Sequence, residues 1–458
     1  MAFSSLDSTL TGPLFRTAEM AAIFSDRARL QAMLRVEAAL ARAQAQHSLV
    51  PAELADAIVA LSIDRLDFDA LGHATALSGV PVIPFVKAVQ KQLPPDLETY
   101  FHFGATTQDI ADTALALQMR DALRLVAQDL ASVITALAIM AERYRATPCM
   151  GRTYLQHAAP ITFGFKIAAR LAGLCELAAQ LPELSAASLC VSLGGPVGTL
   201  TAFGEQGPAI VRAFARDLNL SAPVIAMHTQ RVPMVSLATW LAALCGALGA
   251  WGQDIVHLAS TEVGEVSEPY VAGRGGSSAM PHKRNPVSAT VLVAAATAAP
   301  GLAATALSTM AAVHERPAGA WHAEWSILPQ LFGLVSGALR EARVLADGLN
   351  VDEARMQANI ALTRGLIFAD AAAIALAPVR GRAAAYEAVE QASHTVRETG
   401  SDLRVVLLAS ACSSEERALI EGSFAIEPAM IAASQGVTPV CDRARALSEN
   451  LSKLFGDA

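Results

Sequence analysis

An all-α subunit with a central bundle of long helices is the fold this sequence predicts, on three observations. Hydrophobic residues make up 53% of the 458 residues but aromatics only 5%; alanine and leucine supply much of the rest, and both favour helices. Residues 105–147 contain neither glycine nor proline. Within them Leu115, Met119, Ala122, Val126, Leu130, Val133, Leu137, Met140 and Tyr144 recur in steps of three and four, the apolar seam of one long helix. No period-2 strand run stands out, and no internal repeat of fixed length is visible.

In chain order, residues 1–107 read as a smaller helical unit. Leu30, Met33, Leu34 and Ala41 give it one amphipathic face, and Pro81, Pro84, Pro94 and Pro95 break the segment that follows. Residues 108–349 read as a bundle of about five long helices. The 105–147 helix would span roughly 60 Å at ~1.5 Å per residue, and it cannot bury its seam alone. Segments 160–190, 232–261, 286–313 and 326–347, all rich in Ala and Leu, are the expected neighbours; other subunits could supply more. Residues 350–458 carry shorter helices with more Arg and Glu.

The net charge of −8, without a basic run, argues against a nucleic-acid partner. Any positive charge for an anionic substrate must be gathered locally. Six cysteines, at 149, 175, 190, 245, 412 and 441, form no Cys-x-x-Cys pair or close cluster. That speaks against a disulfide framework and a zinc site and suits a reducing, cytoplasmic compartment. The start, Met1 to Asp7, lacks a basic region followed by an apolar core, so no signal peptide is expected. Stretches 232–253 and 285–313 are long and uncharged, but Ala, Gly, Thr and Ser dominate them. They read as buried helices rather than membrane spans.

Three polar patches interrupt the apolar helices. The first is Phe101-His102-Phe103-Gly104-Ala105-Thr106-Thr107-Gln108-Asp109, just before the longest helix. Hydroxyls and free backbone N–H groups there suit a carboxylate, although capping by Thr106, Thr107 or Asp109 explains the residues equally well. The second is Gly151-Arg152-Thr153-Tyr154-Leu155-Gln156-His157, in which the histidine could move a proton near neutral pH. The third, Gly273-Arg274-Gly275-Gly276-Ser277-Ser278-Ala279-Met280-Pro281-His282-Lys283-Arg284-Asn285-Pro286, joins three glycines to a hydroxyl, a cation and an amide. This composition suits a lid closing over an anion. It is neither a nucleophile elbow nor a Walker A loop.

In order and spacing the three patches resemble the separated signature regions of the fumarase/aspartase superfamily, and the Ser-Ser-x-Met-Pro-x-Lys-x-Asn-Pro run is the most specific part. The resemblance implies a three-domain, all-α, cofactor-free lyase-type enzyme acting on a small polycarboxylate. It also implies a homotetramer whose sites draw the three regions from three subunits.

Finer features resemble the bacterial 3-carboxy-cis,cis-muconate cycloisomerase family: the 314–325 segment with Arg316 and Trp321, Gly104 to Asp109, and Arg152 to His157. Tyr154 stands where that family usually has Trp, and Thr107 where it usually has Ser. Adenylosuccinate lyase, or another fumarate-releasing lyase of the superfamily, is the alternative. Adenylosuccinate lyases usually carry His at the position of Tyr154 and Glu at the position of Thr290. A non-catalytic structural relative is a further alternative, against which the intact Ser277, Lys283, Asn285 and His157 speak. The cycloisomerase resemblance implies interconversion of 3-carboxy-cis,cis-muconate and a carboxymuconolactone, in the protocatechuate branch of the β-ketoadipate pathway. It makes Ser277 the proton carrier, with His157 as the other acid/base candidate, and Lys283 and Asn285 the groups that stabilise an aci-carboxylate. Thr106, Thr107, Gln156, Ser278 and Met280 are the implied substrate contacts, and His102, Tyr154, Arg316 and Trp321 are implied as substrate contacts or as packing around them.

Overall fold

The structure is a computed structural model and describes residues 3–456. Met1 and Ala2, where the segment read for a signal peptide begins, lie outside the described residues. The all-α expectation holds. Five long helices form the bundle: α1 (Thr107–Arg143), α2 (Phe163–Ser188), α3 (Val232–Leu258), α4 (Val287–Thr309) and α5 (Ala320–Gly348). Local chemistry sets their ends. The Thr106 N–H donates to Asp109 Oδ2 at 3.0 Å at the start of α1, and Thr162 Oγ1 accepts from the Phe165 N–H at 3.1 Å at the start of α2. Pro233 sits in the first turn of α3, where its missing N–H costs nothing.

Ion pairs and hydrogen bonds fix an up-and-down array. His228 and Arg231, before α3, reach Asp109 and Asp112 at the start of α1. Glu324 of α5 bonds both Arg231 and Thr309, the last residue of α4. At the other end Glu265, beyond α3, holds Arg152, and Glu268 accepts from the Ser288 and Ala289 N–H groups at the start of α4. Small residues let α3 and α4 approach closely. A Cβ on Gly252 would lie 2.8 Å from Leu292 Cβ, and one on Gly249 would overlap Ala296. Helices α1, α3 and α4 are long and apolar enough to cross a membrane by length and composition; here each contributes to one shared apolar core.

Strands are where the structure departs from the sequence reading. Pro148–Thr153 pairs antiparallel with Gln156–Thr162, and Val266–Ser267 with Asn350–Val351. The hairpin shows no period-2 pattern for two reasons. Its register shifts between Gly151 and Arg152, and the second strand exposes neighbouring residues on both faces.

Three apolar clusters form among the described residues. One contains the bundle core, one the helices between Leu30 and Leu97, and one residues between Ala372 and Ile420. Two segments pack outside the sequence range expected for them. Val191 to Leu218 joins the N-terminal cluster. The terminal helix Val437–Lys453 returns to the bundle through Val437, Cys441, Ala444 and Leu451.

Candidate active site

The three patches do not meet within one chain. The first opens α1, and the second follows the end of α1. A helix of 37 residues at ~1.5 Å per residue holds them roughly 55 Å apart. Among the described residues, no hydrogen bond or ion pair joins the loop 275–286 to either of the other two.

The first patch is the most tightly built. Asp109, 1% exposed, accepts four bonds: Thr106 N–H at 3.0 Å, Gly194 N–H at 3.0 Å, Gly195 N–H at 2.9 Å and His228 Nε2 at 2.7 Å. Arg316 donates from Nη1 to Thr106 Oγ1 at 2.9 Å and from Nη2 to the Pro196 carbonyl at 3.0 Å. The circuit Asp109–Thr106–Arg316–Pro196–Gly195–Asp109 therefore ties the start of α1, a glycine turn and the 314–319 segment into one unit. Because Thr106 Oγ1 accepts from Arg316, its hydroxyl proton is left to donate. Thr107 is half-buried, and its hydroxyl has no partner among the described residues. Gly104 is required twice: its φ is +71°, and a Cβ would meet the Phe203 ring at 2.5 Å. His102, also left-handed at φ 62, lies 2.6 Å from Glu37 Oε1 through Nδ1. Burial works against its charge, but Glu37, with Asp109 acting in the same direction, holds its pKa above the ordinary histidine value.

Behind this patch Arg231 is buried among Asp112, Glu324 and the Met227 carbonyl. Burial opposes its charge, and the two carboxylates hold its pKa raised. Trp321 belongs to this network. It is 2% exposed and its Nε1 donates to Asp112 Oδ1 at 2.9 Å. The structure thus corrects its reading as a substrate contact, because its polar atom is spent and its ring is covered.

The second patch is the hairpin. Tyr154 and Leu155 form its tip with φ of 49 and 63, the left-handed pair of a two-residue hairpin turn. Tyr154 is 99% exposed and Gln156 is exposed, so neither faces a cavity of its own chain. His157 sits opposite Arg152 on the neighbouring strand. Burial, then Arg152, lower its pKa, while Glu265 works the other way. Burial and Arg152 thus favour the neutral imidazole.

The third patch is an open loop. Ser278, Met280, Lys283 and Asn285 are exposed and Ser277 half-buried. Ser277 Oγ accepts from the Met280 N–H at 3.1 Å, and the Asn285 N–H donates to the Gly275 carbonyl at 2.8 Å. A Cβ on Gly275, at φ +70°, would lie 2.6 Å from the Asn285 carbonyl oxygen, so this crossing requires glycine. Arg274 anchors the loop base on Ser288 Oγ at 2.9 Å and on Glu341.

Sequence reasoning missed Glu37, Asp112, His228, Arg231, Glu265, Glu324 and the Gly194–Gly195 turn. The polar run His228-Thr229-Gln230-Arg231 before the uncharged stretch 232–253 was a usable signal. The partners of these residues, 90 or more positions away in several cases, were not visible.

An all-α bundle carrying three polar patches at separate places defines a lyase-type subunit. The chain belongs to the lyase family of the fumarase/aspartase superfamily, which matches residues 15–301. It is 47% identical over 419 residues to the 3-carboxy-cis,cis-muconate cycloisomerase of Pseudomonas aeruginosa, covering 91% of each chain. The structure of the 3-carboxy-cis,cis-muconate lactonizing enzyme of Pseudomonas putida superposes with a TM-score of 0.89 at 42% identity, covering 96% of this chain and all of that one. Nitrosuccinate lyase of Streptomyces davaonensis is 42% identical over 417 residues, 88% of each chain.

Proposed function

We propose that the chain is a cycloisomerase interconverting 3-carboxy-cis,cis-muconate and a carboxymuconolactone. The observation that carries the choice within the superfamily is Thr290. Where a carboxylate partner for the catalytic histidine is expected in an adenylosuccinate lyase, Thr290 is exposed, and its hydroxyl donates to the Pro286 carbonyl at 2.7 Å. A cyclisation whose nucleophile is the substrate's own carboxylate has little need of a group that protonates a departing fragment. The 47% identity to a cycloisomerase across 91% of both chains supports the same choice.

In the ring-closing direction a substrate carboxylate oxygen forms the C–O bond to an alkene carbon. The alkene electron pair moves to the adjacent carbon and onto the carboxylate beside it, giving an aci-carboxylate. A proton delivered to that adjacent carbon completes the reaction. Lys283 and Asn285 bind the aci-carboxylate with fixed charge and a donor. Ser277 delivers the proton and the oxygen it leaves is reprotonated from solvent; that oxygen already accepts from the Met280 N–H, which leaves its own hydrogen free to move. His157 is the alternative proton carrier: as the imidazolium it delivers the proton in ring closure, and as the neutral imidazole it accepts one in the reverse direction. Thr106 and Thr107 hold a second carboxylate through hydroxyls and the N-terminus of α1. Tyr154, Gln156, Ser278, Met280, His102 and Arg316 complete the substrate contacts or their support.

Separation of the first two patches by roughly 55 Å along α1 supports a site built from several copies, and a homotetramer is part of the proposal. Helix α4 supports it: Thr297, Ala298, Ala304, Thr305, Leu307 and Ser308 form an exposed, uncharged surface. Action in the cytoplasm is a further part, supported by six free thiols, four of them buried. The test is an ultraviolet assay following loss of the conjugated muconate, with adenylosuccinate and nitrosuccinate as competitors. Turnover of the muconate is expected. Fumarate release from a competitor with no muconate turnover would refute the assignment, and no turnover of any would favour a structural relative.

A further inference from the structure

The second patch owes its shape and its electrostatics to a residue that lies more than 100 positions from His157 in the chain. Glu265 is fully buried. Its carboxylate receives Arg152 in bidentate fashion, Nη1 to Oε2 at 3.0 Å and Nη2 to Oε1 at 2.5 Å, and Asn359 Nδ2 to Oε1 at 2.8 Å. The Glu265 backbone is fixed as well. Its N–H donates to the Leu258 carbonyl at 2.8 Å, and its carbonyl accepts from the Asp352 N–H at 2.9 Å. Glu265 thus ties the hairpin to the end of α3 and to the helix Glu353–Ala361. Arg152, held this way, stands opposite His157 at the irregular step of the hairpin. That step requires glycine at 151, where a Cβ would lie 2.9 Å from the Ala159 carbonyl oxygen.

We propose that Glu265 is a positioning residue for His157, acting through Arg152: it locks the hairpin in place and balances the guanidinium charge beside the imidazole. The importance of that balance for turnover rests on the reading of His157 as a site residue; the balance itself does not. Several other charged groups lie on elements packed around this strand. Lys166, His257 and the Arg170–Asp254 pair line an adjoining cavity of about 870 Å³ together with Arg152. Glu427 begins a helix that packs on the same strand. Besides burial, Arg152 and Glu265 are the two groups that govern His157, in opposite directions, and Arg152 has the larger effect.

The experiment is a histidine-labelled NMR titration of the full-length protein, with the His157 signal assigned by its loss in His157→Asn. Glu265→Gln leaves Arg152 uncompensated, so His157 should titrate below its wild-type value. The double variant Arg152→Met/Glu265→Met removes both charges and fills the space with apolar groups, a replacement that buried ion pairs tolerate. Because Arg152 outweighs Glu265, His157 should titrate above wild type in that variant. The second comparison decides the matter if the single variant fails to fold. The acid limb of kcat/KM for the muconate should move with the titration. An unchanged His157 titration in the folded variants would overturn the proposal. A titration that moves while the kinetic profile stays fixed would leave Glu265 its hold on His157 and remove His157 from the proposed chemistry.

Discussion

Asp109→Asn isolates the buried carboxylate that organises the first patch. The substitution changes one oxygen into an NH2 group with almost no change in volume, so no cavity term enters. In one amide orientation the NH2 faces the Gly195 and Thr106 N–H groups. In the other it faces the Gly194 N–H and His228 Nε2. His228 could turn acceptor only by moving its proton to Nδ1, which is buried without a partner. Either orientation strands two donors, or one donor and a misplaced histidine proton. At about 1–3 kcal/mol per buried unsatisfied group, the total is about 2–6 kcal/mol. A urea titration should show a lower midpoint at unchanged slope. The site should suffer too, because Thr106 and the turn that holds Arg316 lose their shared anchor. KM for the muconate should rise by about tenfold or more, with a smaller fall in kcat. An unchanged midpoint together with an unchanged KM would refute the claim that Asp109 sets this patch.

The remaining predictions concern the loop and the pH dependence. Ser277→Ala should lower kcat by orders of magnitude with fold and assembly intact, and Lys283→Met should raise KM and lower kcat; near-normal turnover in either would remove that residue's role. The His102–Glu37 pair should stabilise the fold most at low pH. The folded pKa of His102 is raised, so its contribution is complete below the unfolded histidine value of about 6.5 and is lost as pH rises through the folded value. Denaturation of wild type and Glu37→Gln should therefore differ more near pH 6 than in alkaline solution. A gap that widens with pH would contradict the assignment.

How far the fold was legible depended on whether the signal was local. The seam Leu115 to Tyr144 is a local repeat, and all of its members but the half-buried Leu115 are buried. The hairpin was not legible, because a bulge at Gly151 and exposure on both faces of the second strand erase the alternation that marks a strand. Thr106 and Arg316 were both named from sequence, but not the bond between them, which spans 210 positions. Trp321 was misread because a tryptophan in a polar segment gives no sign that its N–H will be used by Asp112, 209 positions away. The buried carboxylates Glu265 and Glu324 were missed for the same reason. Charge in a sequence suggests surface, and only the fold brings Arg152 and Arg231 to them.

The central claim is that this chain makes its site from several copies of itself, since α1 keeps Thr106 and His157 far apart. Mixing Ser277→Ala chains with Thr106→Val chains, after dissociation and reassembly at equal ratio, tests it most directly, because these two residues lie at opposite ends of the bundle. Each variant alone should be strongly impaired. If the threonine and the serine of one site come from different subunits, about a quarter of the sites in random mixed assemblies receive both intact residues, and activity should rise to about a quarter of wild type. If both came from the same subunit, no site could be whole, and a mixture as inactive as its parents would contradict the account.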